Sequence, residues 1–252
     1  IREGLVPRVV GMGAKDAARH AMISAGVPVV EGTELLSSAE EAQEEADKIG
    51  YPVLLKARSG GGGRGIRPVY DADGIKSAFE AARAEALSAF GDGELYMEKF
   101  LKPAKHIEVQ ILCDRQGHVA VLGDRDCSVQ RRNQKLIEEA PAPTLDEAVR
   151  QDLYKASVAA AKAVGYEGAG TIEYLLCPDG TFRFMEMNTR LQVEHSVTEM
   201  VCGIDIVKWQ IRIAAGIPLS FTQEDIPLTG TAIECRINAG SCGRLEMLHV
   251  PG

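Results

Sequence analysis

The densest chemistry in this chain lies between Thr171 and His195, T-I-E-Y-L-L-C-P-D-G-T-F-R-F-M-E-M-N-T-R-L-Q-V-E-H. Asp179-Gly180 between two alternating runs is a strong signal for a two-residue hairpin turn. With that turn Pro178 faces Thr181 and, counting back along both strands, Glu173 faces Glu186. Directly opposed side chains stand about 4.5–5.5 Å apart at Cβ, where like charges repel. Asn188, two residues on, shares their face. Two carboxylates and an amide held together form a hard oxygen set suited to Mg²⁺, with Mn²⁺ tolerated. The competing reading is an exposed strand pair that tolerates the repulsion. A three-residue Pro-Asp-Gly loop would shift the register by one and part the two glutamates. If the strand continues, Arg190, Gln192 and Glu194 share one face and Leu191, Val193 and His195 the other. A cation, an amide and a carboxylate in line would suit a small oxyanion with a base beside it.

A second site is the run R-S-G-G-G-G-R-G at Arg58 to Gly65, entered from the apolar strand P-V-L-L-K-A and left through Ile66 to Tyr70. It is not a Walker A loop, because Lys56 precedes the glycines and no G-K-[ST] follows. Consecutive glycines can take positive φ and bring backbone N–H groups close to an anion. A flexible linker is the plain alternative, but linkers seldom separate two strands, so a phosphate-covering hairpin is the expectation. A third site is the basic cluster Arg131, Arg132 and Lys135 within Asp124 to Glu139, which lacks helix or strand period and reads as a charged loop. Beside an anionic substrate it would become a clamp.

The elements that must position these groups follow in order. Lys15 to Gly26 reads as a helix stopped by glycine, and Val27 to Val30 as a short strand. Ser38 and Glu41 form a capping box for the next helix. Asp73 to Phe90 is an amphipathic helix, and Glu94 to Leu101 a strand. Lys105 to Cys113 pairs with His118 to Gly123, placing His106, Glu108 and Gln110 on one face. Thr144 with Glu147 caps a helix to about Val164. Ser196 to Gly216 is helical with a break near Gly203 and a core stripe of Ile204, Val207, Ile211 and Ala214. Thr231 to Asn238 is a last strand with Ala232, Glu234, Arg236 and Asn238 facing one way. Strands and helices alternate irregularly, with hairpins, so the fold class is α+β.

The 252 residues, 45% hydrophobic, suffice for a full core in one or two domains. The net charge of -8 argues against a general nucleic-acid surface. No apolar run approaches the roughly 20 residues that span a bilayer, and no signal-peptide pattern opens the chain. The six cysteines show no C-x-x-C pair, which fits reduced thiols in a cytoplasmic setting. The start at Ile1 and the end at Pro251-Gly252 suggest a fragment or a sequence with missing loops. A glycine lid, a paired-carboxylate metal site and an adjoining row of Arg, Gln and Glu together describe an ATP-Mg enzyme that phosphorylates a small oxyanion.

Lys56 with the glycine run, M-E-K-F-L at Met97 to Leu101, R-D-C-S-V-Q-R-R-N-Q-K at Arg125 to Lys135, E-E-A-P-A-P at Glu138 to Pro143, E-M-N-T-R-L-Q-V-E-H at Glu186 to His195 and E-C-R-I-N at Glu234 to Asn238 resemble the biotin carboxylases, the ATP-grasp component of biotin-dependent carboxylases. The resemblance implies a small glycine-rich lid subdomain (28–100) and a larger mixed or antiparallel sheet subdomain (101–252), with 1–27 a remnant of an N-terminal domain. It implies that bicarbonate attacks the γ-phosphate of ATP, and that the resulting carboxyphosphate delivers CO₂ to biotin on a biotin carboxyl carrier protein. By matching position, Lys15, Lys56, Gly61, Gly62, Gly63 and Arg64 would contact the phosphates. Glu98, Lys99 and Leu101 would hold adenine, and His106, Gln130 and Asn133 would lie at the ribose. Glu173, Glu186 and Asn188 would form the metal site. Lys135, Arg190, Gln192 and Val193 would hold bicarbonate, with Glu194 as its base and Arg236 stabilising the biotin enolate. Implied partners are the carrier protein, a carboxyltransferase and a second copy in a homodimer, with neither nucleic acid nor membrane. Asn133 stands where His is common, Arg58-Ser59 where Ser-Gly is common, and both 7–11 and 238–243 look shortened. The acceptor served by the carboxyltransferase is expected to be acetyl-CoA, with propionyl-CoA and pyruvate as alternatives. Rival readings are another ATP-grasp ligase and a nucleotide-binding module without chemistry.

Overall fold

The computed structural model describes residues 15–60 and 65–238. The first helix, α1 (Lys15–Ser24), leads into a segment that touches both sheets of the molecule. Phe184 N donates to Pro28 O at 2.7 Å and Val29 bridges Phe184, so the expected strand at 27–30 is only a bridge onto the larger sheet. Gly32 and Leu36 then bridge to the smaller sheet. A Cβ on Gly32 would stand 2.4 Å from Met97 O, so this crossing requires a glycine.

The smaller sheet has the order β2-β1-β3, all antiparallel, from β1 (Val53–Ala57), β2 (Ile66–Val69) and β3 (Leu95–Lys99). Lys56 pairs with Ile66, so the glycine run is the connection of a hairpin. Val53, Leu55 and Ala57 alternate inward on β1 and meet α2 (Ala39–Ile49) and α3 (Ile75–Phe90) through Ala42, Ala46, Phe79, Ala82 and Ala86. Ser38 caps α2 as expected, accepting from Glu41 N at 3.1 Å, but the Glu41 carboxylate reaches Ser37 N at 2.7 Å, so the box is not closed.

The larger sheet has the order β8-β7-β4-β5-β6-β9 and is antiparallel throughout. Its strands are β4 (Lys105–Cys113), β5 (Val119–Arg131), β6 (Gln134–Ala140), β7 (Gly168–Leu176), β8 (Phe182–Asn188) and β9 (Ala232–Cys235). The stretch Asp124 to Glu139, expected as a loop, is the second half of β5, a tight turn and β6. Arg132 and Asn133 form that turn at φ 53 and 61, where Asn is favoured among non-glycine residues. Both strands escape detection because they bury charge, Asp124 and Arg125 on opposite faces of β5 and Glu138 on β6.

One face of this sheet packs Ile107, Val109, Ile111, Ile172 and Tyr174 against Met22 of α1 and Leu153, Ala160 and Ala161 of α4 (Glu147–Ala163). The cap of α4 is Asp146, accepting from Ala148 N at 2.9 Å, rather than Thr144, whose hydroxyl meets Lys105. The other face is covered by α5 (His195–Cys202) and α6 (Ile206–Ala214), separated at Gly203 as expected. The core stripe of α6 is Ile206, Trp209 and Ile213, while Val207 and Ile211 are exposed, so the expected stripe is rotated. Asp205 caps the helix and Trp209 stacks edge-on to Phe221 at 5.1 Å, which fixes the inward face. No helix among the described residues is long and apolar enough to cross a membrane.

The β7–β8 hairpin departs from expectation twice, and the two departures cancel. Cys177 N donates to Thr181 O and Gly180 N to Cys177 O, so the loop is the three-residue Pro178-Asp179-Gly180 with Gly180 at φ +81. Leu176 accordingly pairs with Phe182 and Tyr174 with Phe184. Met185 is then an extra residue, a bulge, and beyond it Glu173 pairs with Glu186 and Thr171 with Asn188. The opposed glutamates are present, but the bulge puts them there.

Candidate active site

Direct pairings place a charged row across four strands, Glu186 on β8, Glu173 on β7, Glu108 on β4 and Arg125 on β5. Toward α6 the same face is apolar, with Leu112 opposite Ala169, and Gln110 opposite Thr171 marks the change. Arg125 and Glu108 have no exposed surface. The Arg125 fork donates from Nε (3.1 Å) and Nη2 (2.9 Å) to Glu108 Oε2. Burial disfavours the Glu108 charge, but Arg125, His106 and Lys135 overcome it and hold the carboxyl well below its usual range.

Lys135, on β6 just past the tight turn, reaches back over this row. Its ammonium donates to Glu108, to Glu173 Oε1 at 2.9 Å and to Glu194 Oε1 at 2.6 Å. Burial works against its charge, yet Glu108 and Glu173 push its pKa upward. His106 Nε2 lies 3.1 Å from Glu108 Oε1 and 3.0 Å from Glu173 Oε2. Burial opposes protonation, but those two hydrogen bonds prevail and raise the imidazole to about 9. Its other nitrogen is 3.3 Å from Gln130 Nε2.

The expected extended row 190–194 does not exist. β8 ends at Asn188, and a turn at Gln192 to His195 rolls the chain into α5, for which Glu194 is the cap residue. The turn sends Gln192 and Glu194 inward together and leaves Val193 63% exposed. Gln192 Nε2 donates to Glu173 Oε1 at 2.9 Å. Glu194 Oε2 accepts from Arg236 Nη2 at 2.7 Å, and Arg236 Nε meets Glu138 at 2.7 Å. Arg190 is exposed, its Nη1 donating to Leu191 O at 3.3 Å. The structure therefore joins Glu173, Asn188, Lys135, Gln192, Glu194, His106 and Arg236 in one network, with Arg190 and Val193 at its outer edge.

In the smaller sheet Lys56 and Glu98 form an ion pair with side chains 12% and 13% exposed. The Lys99 ammonium is committed to Gly50 O (2.8 Å) and Tyr51 O (3.1 Å), leaving backbone for any ligand contact, and Leu101 is half-buried beyond the end of β3. The Lys15 side chain and Gly61, Gly62, Gly63 and Arg64 lie outside the described residues, as do 7–11 and 239–243. Two residues with central positions carried no assigned role from sequence. Glu108 sits two positions from His106 on the face already noted, and Arg125 opens the R-D-C-S-V-Q-R-R-N-Q-K run. Neither carries a sequence signal of its burial, because a charged residue in a strand reads as surface.

A divalent cation fits the donor set here. Glu173 and Glu186 are directly opposed, and the Asn188 amide nitrogen donates to both, at 2.8 and 3.4 Å, so the amide would offer its oxygen to an ion only after turning over. Glu186 is exposed whereas Glu173 is buried.

The matching family model is the carbamoyl-phosphate synthase L chain ATP-binding domain, over residues 14–222. A biotin carboxylase of Nostoc sp. is 55% identical over 229 residues, 90% of this chain and 51% of that protein. The biotin carboxylase of Pseudomonas aeruginosa is 51% identical, covering 96% of this chain and 56% of its own length. Among solved structures, the Campylobacter jejuni biotin carboxylase–β,γ-ATP complex superposes with a TM-score of 0.87 at 53% identity, over 89% of this chain and 50% of that one. The biotin carboxylase domain dimer of the Hydrogenobacter thermophilus 2-oxoglutarate carboxylase, with MgADP and bicarbonate, gives the same TM-score and identity over 90% and 51%. The chain thus spans about half the length of the relatives it matches.

Proposed function

The chain belongs to the biotin carboxylase family, and from that premise we propose that it carries the ATP-dependent carboxylation of biotin with bicarbonate. The observation that carries the reading is the Lys135–Glu194–Arg236 chain beside the Glu173–Glu186 pair, two cations and a carboxylate next to a metal-type donor set. Bicarbonate exchanges into the Lys135 and Arg236 donors that Glu194 now bridges, assisted by the Gln192 amide, the Val193 backbone and Arg190. Glu194 removes its proton as an oxygen attacks the γ-phosphate, and ADP leaves. The mixed anhydride splits to CO₂ and phosphate, the biotin ureido nitrogen loses its proton to that phosphate and attacks CO₂, and Arg236 faces the developing enolate oxygen. Mg²⁺, or Mn²⁺, held by Glu173, Glu186 and Asn188 would neutralise phosphate charge. Lys56, freed from Glu98, would meet the phosphates with Lys15 and the 61–64 glycine run, while Glu98, Lys99 and Leu101 hold adenine and His106, Gln130 and Asn133 the ribose.

The biotin sits on a carrier protein and passes its carboxyl to a carboxyltransferase, for which acetyl-CoA is the proposed acceptor. Relatives named for pyruvate or 2-oxoglutarate carboxylation are about as similar, at 51% and 53% identity, which makes acceptor choice a property of the partner. The Hydrogenobacter relative supports a homodimer. The cysteines among the described residues, Cys113, Cys127, Cys177, Cys202 and Cys235, are free, in keeping with a reducing, cytoplasmic setting. ADP release with MgATP and free biotin, with and without bicarbonate, tests the reading. Release that requires both bicarbonate and biotin is expected. Release indifferent to both would replace it with another ATP-grasp ligase, and release driven by bicarbonate with ammonia in place of biotin with the carbamoyl-phosphate type.

A further inference from the structure

We propose that Arg125 is the positioning residue for the bicarbonate pocket, setting Lys135 through Glu108 and Gln192 directly. Arg125 touches neither of the opposed metal-type glutamates, and it has no exposed surface from which to touch a substrate. Its guanidinium is nevertheless engaged at every nitrogen. Nε and Nη2 hold Glu108 Oε2, Nη1 donates to Gln110 Oε1 at 2.9 Å and to Thr198 Oγ1 at 2.8 Å, and Nη2 reaches Thr171 Oγ1 at 3.2 Å and Gln192 Oε1 at 3.5 Å.

The direction of these bonds is what matters. By taking Glu108 Oε2 from two nitrogens, Arg125 fixes the carboxylate plane and leaves Oε1 pointing at Lys135 and His106. By accepting Arg125 at its oxygen, Gln192 is left with its amide nitrogen toward Glu173. Through Thr198, on the first turns of α5, the same guanidinium ties the helix that begins at Glu194 to the sheet beneath it. One planar fork thus sets the ammonium, the amide and the seat of the base. A lysine would keep the charge but not the fork, since an ammonium cannot present parallel donors in a fixed plane.

The proposal rests on bicarbonate being the substrate, and its tests separate the two. In the full-length protein, Arg125→Lys is expected to raise the KM for bicarbonate by ~10-fold or more, within the roughly 10²-fold that a 1 Å misplacement can cost, with the KM for ATP changed by less than about threefold. A merely structural role would move both constants together with the melting temperature, and that outcome overturns the proposal. Should Arg125→Lys not fold, Arg125→Met with Glu108→Gln removes the unpaired buried charge and restores folding. The same split between the two KM values is expected in that double variant, and a wild-type KM for bicarbonate overturns the proposal. A crystal structure of whichever variant folds supplies a readout that needs no activity. Lys135 Nζ displaced from its present position, with residue 108 or the Gln192 amide turned, supports positioning, and an unmoved Lys135 and Gln192 contradict it. If the parent protein shows no bicarbonate-dependent ADP release, the functional reading falls while this geometric test still decides the role of Arg125.

Discussion

The two sheets handle charge in opposite ways. In the three-stranded sheet the inward face is apolar, with Val53, Leu55 and Ala57 under α2 and α3, and the ion pair Lys56–Glu98 lies on the sheet's other face. In the six-stranded sheet the charges run through the middle, Glu186, Glu173, Glu108 and Arg125 in direct register, with Lys135 and Glu194 above them. Lys56 is paired with Glu98, whereas Lys135 meets Glu108, Glu173 and Glu194. The difference separates two ways of binding an anion. A lysine with one carboxylate partner can trade it for a phosphate while the apolar core on the other face of its sheet is untouched. A lysine locked among buried carboxylates belongs to a preorganised frame, whose desolvation cost is met at folding rather than during the reaction.

That contrast is most exposed by removing each lysine. Lys135→Met leaves Glu108, Glu173 and Glu194 facing one another and is expected to cost about 3–5 kcal/mol of stability in denaturant unfolding. A loss under about 1 kcal/mol would mean the frame is not built on this cation. Next in size is the chemistry. Glu194→Gln should keep nucleotide affinity and lower bicarbonate-dependent turnover by roughly 10²-fold or more, as loss of a general base does. Unchanged turnover would remove Glu194 from that role.

Metal dependence comes third. Glu186→Ala is expected to weaken Mg-nucleotide binding about tenfold, on the scale of one lost charged ligand contact of about 1.4 kcal/mol, and free-nucleotide binding much less. Calorimetric titration with and without a chelator reads the difference, and equal losses would sink the metal assignment. The smallest stability effect belongs to the Lys56–Glu98 pair of the smaller sheet. Lys56→Met leaves one enclosed carboxylate, Glu98, without its cation and should cost about 1–3 kcal/mol of unfolding free energy while weakening nucleotide binding. A stability loss matching that of Lys135→Met would erase the distinction between the sheets.

Much of the site could be read from the residues, and the failures share a physical cause. Glu173 and Glu186 were expected opposite each other, and they are, but through a three-residue loop corrected by the Met185 bulge. Turn chemistry at Pro178-Asp179-Gly180 is compatible with either loop, and a bulge leaves no local mark in M-E-M. Asp124 to Glu139 was expected as a loop because period-2 reading looks for apolar inward positions, and here the buried positions include Asp124, Arg125 and Glu138. For the same reason Arg125 and Glu108 went without roles, since charge in sequence reads as surface. The row Arg190, Gln192, Glu194 was built on continued extension. The turn before α5 brings Gln192 and Glu194 inside and leaves Arg190 out, a selection that only the three-dimensional path of the chain makes.

On the proposed reading, bicarbonate itself is phosphorylated in the frame around Lys135 and Glu194. The direct measurement is the fate of oxygen from ¹⁸O-bicarbonate during biotin-dependent ATP cleavage by the full-length protein. Attack by a bicarbonate oxygen on the γ-phosphate, followed by cleavage of the carbon–oxygen bond, leaves that oxygen on phosphorus. The account predicts one ¹⁸O in each released phosphate, read by the isotope shift in its ³¹P resonance. Phosphate whose new oxygen comes from water would contradict it.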